Sequence, residues 1–178
     1  GLKVHAKLTH IGSSRGDLAC VSTGNFHEGN ARVYTDCLLM TANPAIVQDV
    51  DRVFRFIERP YSPIKFRELL VSPNEMKKRF LRLIGAEIKN HRAGLPSGIR
   101  MKVNHITDPI MVEKIYEAAS SGVPVDLLVR GNCSLIPGQA QLGGRLKVVG
   151  IIDRYLEHSR IFIFAGGGQE QCFIGSAD

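Results

Sequence analysis

The sequence predicts an α/β protein. Three observations carry that reading. Short β-branched runs alternate with turns rich in Gly, Pro and Asn; apolar residues recur at helical spacing behind Asn43-Pro44, Ser72-Pro73 and Asp108-Pro109; and one strand–helix–strand order runs from "GIRMKVNH" to "VPVDLLVRG".

Residues 2–12, "LKVHAKLTHIG", read as a strand, and residues 17–25, "DLACVSTGN", as another that runs into a Gly-Asn turn. Residues 31–42, "ARVYTDCLLMTA", read as extended chain. Asn43 suits a helix cap and Pro44 the first helical position, with Ile46, Val50, Val53, Phe54 and Ile57 lining one face up to Pro60. The stretch "ERPYSPIKF" has two prolines and no periodicity, and is the expected boundary between units 1–59 and 60–178.

In the second unit, Ser72 with Glu75 reads as a capping box ahead of Met76, Phe80, Leu83, Ile84 and Ile88, a stripe that runs to Gly94. Lys77, Lys78, Arg82 and Lys89 fall on the opposite side. A further helix follows Asp108-Pro109 through Ile115, Tyr116 and Ala119, and "VPVDLLVRG" has the apolar character of a strand buried in a parallel sheet. Arg130 stands at the carboxyl end of that strand, where open α/β sheets gather their ligands. "RLKVVGII", "YLEHSRIFIF" and, after an "AGGGQEQ" turn, "CFIGS" add further strands.

With 178 residues, 44% of them hydrophobic, the chain can bury a core. Its 23 Lys and Arg against 17 Asp and Glu, a net charge of +6, favour an anionic partner without distinguishing nucleic acid from phosphates. Cys20, Cys37, Cys133 and Cys172 lie far apart, with neither zinc spacing nor a disulfide framework. No apolar run approaches the roughly 18 residues of a membrane span.

The informative motif occurs twice. His5 precedes Lys7 by two positions, as His158 precedes Arg160, and in extended chain such residues share a face. Each pair sets an imidazole beside a fixed cation. Each is followed by a polar turn, with Asn25 twenty residues past His5 and Asp178 twenty residues past His158. A neutral imidazole is a competent nucleophile toward phosphorus, and a neighbouring cation can hold phosphoryl oxygens as charge moves onto them. Two facing half-sites would allow one histidine to attack while the other binds or protonates the leaving oxygen. On this reading Lys7, Asn25 and Arg160 bind phosphate, with Asp178 completing the second turn. Asn25 is equally suited to be a plain turn residue, Arg32 reads as an exposed cation, and His10, His27, His91 and His105 have no counterpart in the other half.

The duplicated H-x-[KR] motif with its turn resembles the phospholipase D superfamily. "STGNFHEGNARVYTDCLLMTA", "YSPIKFRELLVSP", "LPSGIRMKVNHITDP", "SSGVPVDLLVRGNCSLIPG", "DRYLEHSRIFIF" and "GSAD" are similar to the carboxyl-terminal catalytic region of family 1 bacterial polyphosphate kinases, over essentially the whole chain. The resemblance implies phospholipase D-like mixed sheets flanked by helices, with parts of two such domains. It implies reversible transfer of the terminal phosphate of ATP to inorganic polyphosphate through a phosphohistidine at His5. His158 would be the second catalytic histidine, meeting the nucleotide phosphates, and Tyr34 and Arg130 would hold ATP. It implies a homo-oligomeric cytoplasmic enzyme, attached to a membrane or not, with no nucleic acid partner. The family's magnesium ligands lie ahead of the "HAK" segment, so no metal site is expected in this chain, which reads as part of a longer protein, active or inactive when isolated. A phospholipase D-type phosphodiesterase or nuclease would use the same histidines, and a non-catalytic polyanion-binding module would share the basic charge.

Overall fold

The computed structural model describes residues 4–61, 63–73 and 75–177. Strands β1 (Leu8–Ile11), β2 (Leu18–Ser22) and, after the short helix α1 (Glu28–Ala31) and strand β3 (Tyr34–Thr35), β4 (Leu38–Thr41) form an antiparallel sheet in the order β1-β2-β4. The first strand is shorter than expected, and His5 and Lys7 lie in irregular chain ahead of it. Helix α1 was not anticipated; the His27 ring caps it by accepting from the Gly29 N–H at 3.1 Å.

Helix α2 (Pro44–Glu58) starts where the Asn-Pro pair places it, with the Asn43 carboxamide accepting from Ala45 and Ile46 N–H. It packs on β2 through Val47 and Val50 against Ala19 and Val21. Phe54 and Ile57, expected on the buried face, are 38% and 44% exposed. A helix of 15 residues runs about 22 Å, beyond the reach of strands of four or five residues, so burial continues to Val53 while Phe54 and Ile57 are left partly open.

Asp49 is fully buried on α2. Its Oδ2 accepts from the backbone N–H groups of Arg67, Glu68 and Leu69 at 2.7, 2.7 and 3.0 Å, and Arg52 pairs with its Oδ1. Burial pushes this carboxyl upward, but the backbone donors and Arg52 outweigh it and hold it below its ordinary range. One side chain thereby pins the chain leaving the proline-rich stretch back onto the first helix.

Helix α3 (Met76–Arg92) begins without the expected capping box. Glu75 stands at the cap with no side-chain bond to the helix, and its carboxylate reaches Arg82 at 3.5 Å instead. The stripe itself is as the periodicity requires, with Phe80, Leu83, Ile84 and Ile88 buried and Lys77, Lys78, Arg82 and Lys89 exposed.

Beyond it come β5 (Ile99–Val103), α4 (Pro109–Ser120, capped by Asp108 at 3.0 Å from Met111 N), β6 (Val125–Val129), β7 (Leu146–Val149), β8 (Leu156–Glu157), β9 (Arg160–Phe164) and β10 (Gln171–Gly175). Five of these strands form a mixed sheet in the order β10-β9-β5-β6-β7, parallel from β5 to β7 and antiparallel at β9 and β10. Phe80 of α3 packs its ring against Phe162, centroids 4.5 Å apart, in a core that also takes in Ile99, Met101 and Val125. Strand β6 is not buried throughout: Val125, Leu127 and Val129 are, but Asp126 is exposed. Helices α3 and α4 pack on the buried face of the sheet, so Arg100, Lys102 and Asp126 emerge on the other. The remaining strands, β3 and β8, pair in parallel, Tyr34 with Leu156 and Thr35 with Glu157. This short ribbon joins the two halves of the chain.

Replacing the buried Asp49 by Ala takes the shared acceptor from the N–H groups of Arg67, Glu68 and Leu69 and should lower the unfolding free energy by about 1–3 kcal/mol in urea titrations. Because the folded carboxyl titrates below its unfolded value, the wild-type contribution is complete above about pH 4 and lost as pH falls through the folded pKa. The difference between wild type and variant should therefore shrink in strong acid.

Candidate active site

The second half-site sits where β8 gives way to β9. His158 Nδ1 lies 2.9 Å from Asp36 Oδ1, its ring is 5.1 Å from that of Tyr34, and Arg160 Nη1 stands 3.1 Å from Nε2. A carboxylate accepts and a guanidinium donates, which fixes the neutral ring: Nδ1 carries the proton and Nε2 the lone pair. Arg160 also donates to the His158 carbonyl at 2.9 Å, and is itself 5% exposed. The expected pairing of histidine with a cation two residues on is present.

The same pairing recurs at the first half-site. Lys7 Nζ lies 3.0 Å from each ring nitrogen of His5 and donates to the His5 carbonyl at 2.7 Å. An ammonium only donates, so the ring nitrogen that receives its proton must be unprotonated. Lys7 is buried, and its carbonyl accepts from Ser22 N–H at 2.9 Å.

Each half-site is tied to the other's turn. From the first turn, Thr23 Oγ1 donates at 2.7 Å to the Asp36 oxygen that faces His158, while Cys37 N–H donates to Thr23 Oγ1 at 2.9 Å. From the second, Ser176 Oγ donates to the His5 carbonyl at 3.1 Å. Ser176 follows Gly175, which stands opposite Arg160 in the β9–β10 pairing. The contacts thus run from His5 through Ser176 to Arg160 and His158, and return through Asp36, Thr23 and Ser22 to Lys7.

Gly24 explains why the first turn needs a glycine. A Cβ there would stand 2.0 Å from Asp36 Oδ2, so any side chain would displace the carboxylate that holds His158. Asn25 lies at the exposed tip of this turn, where its carbonyl accepts from His27 N–H at 2.8 Å and its side chain makes no hydrogen bond among the described residues. Asp178 lies outside the described residues. Arg32 is an exposed cation paired with Glu28.

Beside the ribbon opens a cleft of about 340 Å³, lined by Tyr34, Arg130, Tyr155, Leu156 and Glu157 among others. Arg130 follows β6, and its Nε donates to Asn104 Oδ1 at 3.2 Å. Tyr34 and Arg130 therefore share a wall with the residues just before His158. Behind them, Lys102 of β5 pairs with Glu157 at 2.6 Å and donates to Ser159 Oγ, while Thr35 Oγ1 donates to Glu157 Oε2 at 3.0 Å. The hydrogen bond from Lys102 holds the Glu157 carboxyl below its ordinary range against the opposing effect of burial, with Thr35 assisting. Among the described residues, no three His, Cys, Asp or Glu side chains group so as to hold a metal ion.

The family model for polyphosphate kinase C-terminal domain 1 matches residues 1–63, and that for C-terminal domain 2 matches residues 69–178. The chain belongs to the polyphosphate kinase family. It is 47% identical to the polyphosphate kinases of Salmonella typhimurium and Escherichia coli over 182 aligned residues, spanning 26% of their length. The crystal structure of polyphosphate kinase from Porphyromonas gingivalis superposes with a TM-score of 0.87 at 42% identity, across 100% of this chain and 30% of that one. The expected α/β class with mixed sheets agrees with this likeness. No helix among the described residues is long and apolar enough to cross a membrane.

Asp36, Thr23, Lys102, Glu157 and Ser176 complete the site and were not singled out from the sequence. Gly24 and Thr23 next to Asn25 were the available signal for Asp36, since a turn glycine often marks a close approach. Gly24→Ala and Thr23→Val should each lower stability by about 1–3 kcal/mol in urea denaturation, the first by displacing Asp36 and the second by leaving Cys37 N–H without its acceptor.

Proposed function

We propose that the protein containing this chain is a polyphosphate kinase that moves the terminal phosphoryl group of ATP to inorganic polyphosphate through a phosphohistidine at His5. The observation that carries the reading is the reciprocal tie between half-sites: Asp36 of the first holds His158, and Ser176 of the second holds the His5 carbonyl. Two imidazoles, each with its own cation, are thereby fixed in one connected site, as transfer between two phosphate-bearing substrates requires.

The lone pair of a His5 ring nitrogen attacks the terminal phosphorus of ATP. A P–N bond forms as the P–O bond to ADP breaks, and the electron pair leaves on the β-phosphate oxygen. Lys7 neutralises charge on the transferred group, and Arg160 does so beside His158. The nucleotide lies in the cleft, with Tyr34 and Arg130 against it and its phosphates reaching His158. In the second step a terminal oxygen of polyphosphate attacks the phosphohistidine, the P–N bond breaks and the imidazole is regenerated. Both steps are displacements at phosphorus and proceed in either direction. Positioning and charge neutralisation supply most of the acceleration, as in phosphoryl transfer generally. Magnesium would have to be held by residues outside this chain. On this reading the chain divides into units 1–59 and 60–178, each contributing one of the two site histidines, His5 and His158.

Full-length protein given labelled ATP should make long acid-insoluble polymer and carry an acid-labile phosphate on His5, located by mass spectrometry. His5→Ala should remove the label and reduce synthesis by on the order of 10⁴-fold or more. Cleavage of phosphodiesters without polymer would assign the chemistry to a diesterase, and a His5→Ala variant with undiminished synthesis would overturn the nucleophile.

A further inference from the structure

Lys102 sends one ammonium group to the side chains on both sides of His158. Its Nζ lies 2.6 Å from Glu157 Oε2 and within hydrogen-bond distance of Ser159 Oγ. In extended chain, the residues before and after a given position point the same way, and the residue between them points the opposite way. Lys102 therefore grips the strand from behind, and His158 faces forward.

The partner strand is organised alike. Thr35 Oγ1 donates to the same Glu157 carboxylate oxygen at 3.0 Å, and Thr35 sits between Tyr34 and Asp36, the two residues that meet the His158 ring. The β3–β8 ribbon thus has two distinct sides. Thr35, Glu157 and Ser159 converge on Lys102 on one, where Glu157 also borders the cleft, and Tyr34, Asp36, His158 and Arg160 meet on the other. The gripping side is largely withdrawn from solvent: Ser159 is 3% exposed, and the Lys102 and Glu157 side chains 17% and 21%. Little water is there to replace a lost partner.

We propose that Lys102 and Glu157 are positioning residues for the reaction, which set the register and facing of the ribbon so that His158 and Tyr34 meet the nucleotide. The pair touches no reacting atom. It acts through its two neighbours, locking Glu157 and Ser159 to the middle of β5, in the sheet that also carries Arg130 at its edge of the cleft. The inference rests on the kinase reading for its kinetic consequences, but the placement of His158 can be read without turnover.

The test compares full-length wild type with Lys102→Met, Lys102→Arg, Glu157→Gln and the neutral pair Lys102→Met/Glu157→Gln. Arg100→Gln serves as control, since it removes an exposed ion pair with Glu170 from the same strand. Two readouts are needed: kcat and KM for ATP, and the downfield proton resonance of the His158 Nδ1–H held by Asp36, identified by its loss in His158→Ala. Lys102→Met, Glu157→Gln and the neutral pair should lower kcat by on the order of tenfold to a hundredfold and weaken or abolish the resonance, as small misplacements of catalytic groups do. Lys102→Arg, which keeps several donors, should recover most of both, and Arg100→Gln should change neither. Wild-type kcat and resonance in Lys102→Met would overturn the proposal. Should Lys102→Met fail to fold, the neutral pair decides: folded and slow supports positioning, while folded with wild-type kcat and resonance shows that the charges merely balance each other. If wild type makes no polymer from ATP, the kinase reading fails by itself, and the resonance still tests the placement of His158.

Discussion

Two residue pairs, Tyr34 with Leu156 and Thr35 with Glu157, hold together parts of the chain some 120 positions apart. The rest of the site depends on them. Without that parallel ribbon Asp36 has no histidine to orient, Tyr34 has no ring to meet, and Arg130 faces a wall that is missing. The sheets on either side fold around their own apolar clusters, one centred on Val50 and Ala19 and the other on Ile99, Ile115 and Phe164. The site itself contains little such material. It is held by hydrogen bonds and ion pairs in a setting of limited solvent access, where satisfied polar networks are strong and interrupted ones are costly.

Charge is arranged in the same spirit. Lys7, Arg160 and Lys102 are all largely withdrawn from water, and each lies beside a group able to accept its protons. Burying cations next to imidazoles is unfavourable in isolation, and local acceptors, the histidine carbonyls and the Glu157 carboxylate, offset part of that cost. What results is positive potential fixed in place, which the proposed phosphoryl transfer would use with little reorganisation.

Much of the architecture was legible in the sequence because it follows from local rules. Asn43 and Asp108 cap the helices that their prolines begin, the α3 stripe faces the core, and the strand–helix–strand unit yields parallel β5 and β6. The errors have local causes too. Helix α3 begins at Met76, so Glu75 falls at its cap and not at the third helical position, and α2 runs past the sheet that covers its first turns. The histidine–cation pairs were readable from their duplicated spacing. Asp36, Lys102 and Glu157 were not, because their partners lie on distant segments and no spacing rule reports a contact between strands. Asp49 was hidden for the same reason, its three donors being backbone groups eighteen to twenty residues away.

A ribbon only two residues long also bears on how the molecule would be assembled. Its ends belong to separate sheets, so loop closure across more than a hundred residues becomes worthwhile only after both have formed. The cleft beside it, held by hydrogen bonds more than by apolar packing, is then where local opening would cost least while the hydrophobic clusters stay intact. On the proposed function, a nucleotide bound between the walls would favour the closed form by mass action, so that occupancy and integrity of the site would rise together.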